Sequence, residues 1–340
     1  MSDDQERPEP TLPPNSIVQL RDWHNESEDE AREFGQFLMA TTHEWSRYLD
    51  LSRLSKVILA YDYHAALALA RGDDQVADVA TVNEFGQSAA MSIVVREGDE
   101  LKSVVVVSTP LIKAMFDEED STLRRSSLQS YVHELVHVDD HAFLDRTFPG
   151  GAAAATPADD LHGALLAIVM PARSEYEATR RTALIEPSTG LQFLDMLSAV
   201  LADLWTEVRR ERRKYNEREI SLEEFWPWLQ ERCRFVFQSL GYALGHADGV
   251  LNEEEASGDL KAVYLRRLED IASTDFGWLI DATRAAVMPI YRQEAWTGLA
   301  IFDDLVEVGR RLLGEFGVQL LPQANGFWVD VPWTWDPALN

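Results

Sequence analysis

Residues 133–137 read His133-Glu134-Leu135-Val136-His137, two imidazoles four positions apart with a carboxylate directly after the first. On an α-helix, residues four apart lie one turn apart on the same face, so both rings can reach a single metal ion. Glu134 follows about 100° round the helix from His133, within reach of a water on that ion. Two ligands and a general base at this spacing are what zinc-assisted hydrolysis requires.

The elements that must hold these residues are legible around them. Residues 121–144 contain no Gly or Pro, and Leu128, Val132, Leu135, Val136, Ala142 and Phe143 recur as one apolar stripe. The pattern predicts a helix of about 20 residues, N-capped by Ser121 or Thr122 behind the acidic run 117–120, with Pro149-Gly150-Gly151 closing the region. His133 and His137 flank the stripe, half inward, where a metal site needs them. A catalytic zinc takes a third protein ligand and keeps one position for water. His141 is two turns, about 12 Å, along the axis from His133 and cannot easily share its metal. The better candidates are Glu175 and Glu177, in the segment 171–185 that reads as a helix started by Pro171.

With these residues the sequence resembles the zincin metallopeptidases, and among them the gluzincins, whose third zinc ligand is a Glu on a helix after the H-E-x-x-H helix. Glu175-Tyr176-Glu177-Ala178 is also similar to the E-x-E-A stretch of small intracellular regulatory gluzincins of the ImmA/IrrE type. The resemblance spans roughly residues 55–186. It implies zinc held by His133, His137 and Glu175, with Glu134 as general base. Where that family often has an acidic residue or Asn four positions after the ligand Glu, this chain has Thr179, which leaves Glu177 as the alternative ligand. The oxyanion stabiliser is sought among Tyr176, His162 and Arg173. Either Asp139 or Asp140 is expected to orient a ligand imidazole or to be solvated.

Before the helix, residues 90–96 and 101–108 are β-branched runs around Glu97-Gly98-Asp99-Glu100, the pattern of an antiparallel hairpin. Zincins pair the substrate with an exposed strand beside the metal. Residues 103–108 are the candidate edge, set against an ordinary core strand, because four successive valines suggest burial on both faces. Residues 56–61 predict a further strand and 62–71 a helix.

The chain has 340 residues, 46% of them hydrophobic, enough for two domains. The expected organisation is α+β: an acidic, Pro-rich, disordered tail at 1–16, a zincin-like domain at 17–187 with a small antiparallel or mixed sheet, and a mostly helical covering or regulatory domain at 188–340. Helices are predicted over 191–215, 222–247, 260–273, 278–291 and 296–316. Residues 246–255 resemble a calcium loop only faintly, since Leu244 stands at the first ligand position, and read as an acidic interhelical loop. Residues 326–335 alternate aromatic and polar side chains and predict a strand or extended arm.

A formal charge of −27 argues against nucleic acid. The one basic cluster, Arg209 to Lys214, is interleaved with glutamates as a salt-bridged helix face. No run of 18 apolar residues is present and no apolar leader opens the chain, so no membrane span or signal peptide is expected. The single Cys233 reads as a buried small hydrophobe in a reducing, cytoplasmic protein. These observations predict a cytoplasmic zinc endopeptidase acting on a protein or peptide substrate, with the helical half limiting access or selecting a regulatory protein partner. Two other readings compete: a non-peptidase zinc hydrolase of a small amide or ester, and a regulatory or scaffold protein whose H-E-x-x-H motif is structural or without metal.

Overall fold

A computed structural model describes residues 7–23, 27–71, 82–83, 86–87, 89–117, 119–148, 150–151, 154–291 and 296–333. The chain is a mixed α+β protein that divides into two compact units, 1–154 and 155–340. The division precedes the helix that carries Glu175.

In the first unit, β1 (Ile17–Arg21) and β2 (Leu54–Ala60) belong to a four-stranded sheet. A separate small ladder joins β3 (Val82–Asn83) to β4 (Gly86–Gln87). The main sheet is completed by β5 (Ala90–Glu97) and β6 (Glu100–Ser108), in the order β1-β2-β6-β5. Its first three strands are parallel, and β5 runs antiparallel to β6 through the expected hairpin, with Gly98 at φ +64° taking the turn. The valine run is explained by position: Val104 to Val107 are at most 1% exposed because β6 lies between β2 and β5. Residues 103–108 are therefore not an edge; among the described strands of this sheet the edges are β1 and β5.

Four helices accompany the sheet. α1 (Glu28–Trp45) starts in a capping box formed by Ser27 and Glu30. α2 (Tyr63–Arg71) packs through Tyr63, Ala66 and Leu67 on the face made by Ile58, Ile93, Val104 and Val106. α3 (Thr109–Ala114) is a short connector, and α4 (Ser121–Thr147) carries the H-E-x-x-H motif. α4 meets the opposite sheet face, since residues alternate along a strand and its His141 bonds Ser103. Its cap is Asp120, whose carboxylate accepts from Thr122 and Leu123 N–H, in place of the predicted Ser121 or Thr122. An ionised carboxylate serves the helix N-terminus better than a hydroxyl. Glu118 and Pro149, of the predicted start and stop signals, lie outside the described residues. Of the stretch expected to be disordered, 1–6 also lie outside them. The remainder is tied down: the Thr11 hydroxyl bonds Ser46 and Leu49 carbonyls at 2.8 and 2.7 Å, and Arg47 donates to Pro8 O at 2.7 Å.

The second unit is helical around one close pair, α5 (Asp160–Thr182) and α7 (Leu222–Leu251), with α6 (Thr189–Asn216) between them in sequence. On α7, Gly241, Gly245 and Gly249 recur every fourth residue and face α5. A Cβ at Gly245 would fall 2.3 Å from Thr179 Oγ1 and 2.4 Å from Tyr176 O. One at Gly241 would fall 2.6 Å from Ala172 O, so only glycine permits this approach of two backbones. α8 (Gly258–Ala272), α9 (Trp278–Val287) and α10 (Asp303–Glu315) follow, and β7 (Gln319–Gln323) pairs antiparallel with β8 (Gly326–Asp330). The predicted terminal strand is thus present, while Trp335 lies outside the described residues.

Three expectations change here. Pro171 does not begin its helix: α5 starts eleven positions earlier, behind the Asp159 cap that accepts His162 N–H, and Pro171 sits in its interior. The acidic interhelical loop predicted at 246–255 is largely the last turns of α7, where Asp248 is buried and paired with Arg284 at 3.0 Å. Within the basic cluster, Lys214 and Arg210 pair with Glu211 as expected, but Arg212 is buried and donates to Phe316 O. Cys233 is buried as anticipated, and burial pushes its thiol up to about 12. No described helix is long and apolar enough to cross a membrane.

Candidate metal centre

α4 delivers both histidines as the spacing requires. His133 Nε2 and His137 Nε2 lie 3.0 Å apart, with the rings nearly perpendicular at 84°. Two nitrogens bound to one tetrahedral zinc at about 2.05 Å would be about 3.3 Å apart, so the pair is close to a ligand edge as it stands. The same separation suits an N–H···N hydrogen bond between complementary tautomers.

Glu134, only 9% exposed, points at the sheet edge, where its Oε2 accepts the Ser92 N–H of β5 at 2.6 Å. The base candidate is thereby locked to the edge strand through one oxygen. The rest of α4 is clamped on polar contacts. Tyr131 and Thr42 share a buried 2.6 Å hydroxyl bond, and Asp139 accepts the Asp50 N–H at 2.7 Å. Arg53 pairs with Asp145 and Arg146 with Asp50. Asp139 therefore fastens the 46–54 segment, and Asp140 is buried one residue on. His141 bonds the Ser103 hydroxyl at 2.9 Å through Nδ1, and burial holds its imidazole down at about 4. It is a neutral packing histidine.

On α5, Glu175 is buried and its Oε1 accepts from Gln238 Nε2 of α7 at 3.0 Å. Gln238 also donates to the Tyr242 hydroxyl at 3.3 Å. Glu177, two positions on and about 200° further round the helix, faces Arg181 at 3.5 Å. His133 and His137 belong to the first unit, and Glu175 and Glu177 to the second.

The chain matches no protein-family model, no curated protein and no solved structure. The chemistry of the centre therefore rests on its own residues.

Two imidazoles and one carboxylate are a donor set that zinc uses when a position is kept for water, so the residues fit the metal. Each of the three oxyanion candidates has a contact within the second unit. Tyr176 donates to Asp248 at 2.6 Å, and burial together with that carboxylate pushes its phenol well up. Arg173 stacks on Trp296 at 4.7 Å. His162 lies about 20 Å along α5 from Glu175, beside Asp303 at 3.2 Å. Sequence reasoning did not find Ser92, Gln238 or the glycine stripe. The four-residue glycine spacing was a readable signal, but its partner helix was not.

Proposed function

We propose that the protein is a cytoplasmic zinc endopeptidase with a zincin-like first unit, its metal held by His133, His137 and Glu175. The observation that carries this reading is the approach of His133 and His137 Nε2 to 3.0 Å on α4, joined to a glutamate anchored beside an edge strand. Bound zinc would supply Lewis acidity, polarising a carbonyl and bringing the pKa of a water toward 7. Glu134 takes the water proton on Oε1, the oxygen not held by Ser92, and returns it to the leaving amine. The edge of β5 offers backbone groups to an extended peptide, which adds as a further strand next to Glu134. Residues 188–340 select the substrate or a regulatory protein partner.

Metal analysis of protein purified without added zinc tests the centre. About one zinc per chain is expected, lost in His133→Ala and in His137→Ala and strongly weakened in Glu175→Ala. Full metal content in both histidine variants sinks the site, and loss in Glu177→Ala in place of Glu175→Ala moves the third ligand. Assay of the intact chain on casein and a mixed peptide library tests selectivity: vigorous, unselective cleavage removes any gating role for the helical half.

A further inference from the structure

The sheet face that α2 covers holds a second feature with its own chemistry. Past the end of α2, a cavity of about 500 Å³ opens over Ile58 of β2 and Val104 of β6. Alternation along the strands brings Arg21 and Lys56 to this face, and α2 contributes its last residue, Arg71. Arg96 also borders the cavity. Four cations thus surround one space in a chain that carries 58 acidic against 31 basic residues. Among the described residues lining it the one carboxylate, Glu97, is occupied, 3.8 Å from Lys56 Nζ and accepting the Ser55 hydroxyl at 3.1 Å.

Among the described residues, Arg21 and Arg71 have no such partner. Arg21 Nε, and Arg71 Nε and Nη2, are shut off from solvent and make no hydrogen bond among the described residues. A guanidinium N–H removed from water without an acceptor is strongly unfavourable, and two guanidinium groups beside one cavity repel. An oxyanion resolves both penalties, because the planar fork of arginine matches phosphate oxygens in pairs. The apolar floor of Ile58 and Val104 would receive an uncharged portion of the same ligand, and the volume suits a small molecule.

We propose that this cavity binds a phosphate-bearing small molecule, Arg21 and Arg71 gripping the phosphate while its apolar part rests on Ile58 and Val104. The site lies on the face of the sheet opposite α4, so it is separate from the H-E-x-x-H helix and independent of the metal reading.

Calorimetric titration of the full chain in phosphate-free, low-salt buffer with inorganic phosphate, phenyl phosphate and citrate tests it. Saturable binding of both phosphates is expected, phenyl phosphate the tighter, with a matching rise in melting temperature. Arg21→Gln and Arg71→Gln should each weaken phenyl phosphate at least about tenfold. Each variant should melt no lower than the parent in phosphate-free buffer, because Arg21 Nε and Arg71 Nε and Nη2 bond nothing among the described residues. Lys214→Gln, on α6 of the second unit and absent from the cavity lining, should bind as the parent does. No saturable phosphate binding by the parent chain overturns the proposal, and so does binding by citrate alone. Unchanged affinity in both arginine variants overturns it as well. A lower melting temperature of Arg71→Gln without ligand, with the phosphate response intact, shows a structural arginine and does the same.

Discussion

α4 and α5 each present part of the proposed centre, and they are held in opposite ways. α4 is fixed by polar clamps along its length: Tyr131 to Thr42, Asp139 to Asp50, and Glu134 to the strand at Ser92. α5 is held chiefly by shape, its backbone against the glycines of α7, with side-chain bonds from Tyr176 to Asp248 and from Gln238 to the Glu175 carboxylate. Directional bonds tolerate a changed partner at modest cost, whereas a contact with no spare volume tolerates almost nothing. The two halves of the centre should therefore fail differently under mutation.

The largest effect is expected within α4 and on chemistry alone. Glu134→Gln should keep metal and fold while turnover falls at least about 100-fold; persistent hydrolysis would assign the proton transfer elsewhere, and loss of zinc would make Glu134 structural. The contrast between helices comes next. Gly245→Ala forces a methyl into Thr179 and the Tyr176 carbonyl and should cost roughly 2–3 kcal/mol, with Glu175 displaced and zinc weakened. Asp139→Asn, which loosens one clamp of α4, should cost about 1 kcal/mol. Equal losses in thermal melting would erase the distinction.

Gln238→Ala should separate position from packing on α5. Zinc affinity is expected to drop about 10- to 100-fold in a chelator competition while melting barely moves. If affinity holds, Gln238 does not set the carboxylate. The smallest effect concerns pH and returns to α4. The folded imidazole of His141 is held near 4 against an ordinary 6.5, so the unfolded chain binds the proton more readily between those values. Stability from this group is full above pH 6.5 and disappears as pH falls to about 4. His141→Gln should flatten the melting profile over that window. Asp50, whose carboxyl is lowered by Ser52 and Arg146 bonds that outweigh the upward push of burial, contributes stability that is full above its ordinary 3.8 and lost only below it.

These two modes of attachment also decide what could be read without coordinates. The α4 motif was legible because helix periodicity alone puts His133 and His137 on one face, and the hairpin of β5 and β6 because β-branched runs flank a glycine turn. The order of strands was not, since a run of valines marks burial but not which neighbour supplies it; hence the misplaced edge. Glu175 was reached through resemblance, while Gln238, 63 positions away on another helix, had no local signature. Arg21 and Arg71 were silent for the same reason: only the sheet register and the return of α2 bring them to one cavity. β1 and α1 went unread because neither carries a motif.

The bond from Ser92 N–H to Glu134 has a consequence for timing. An extended peptide that adds to β5 at this position competes for the same N–H that anchors the carboxylate. Docking and deprotonation then share one hydrogen bond, so a backbone carbonyl arriving at Ser92 would release Oε2 and leave the glutamate more basic at the moment the scissile bond is in place. A ligand too short to reach Ser92 would leave that restraint intact, making length of contact along the strand a condition for turnover in addition to affinity.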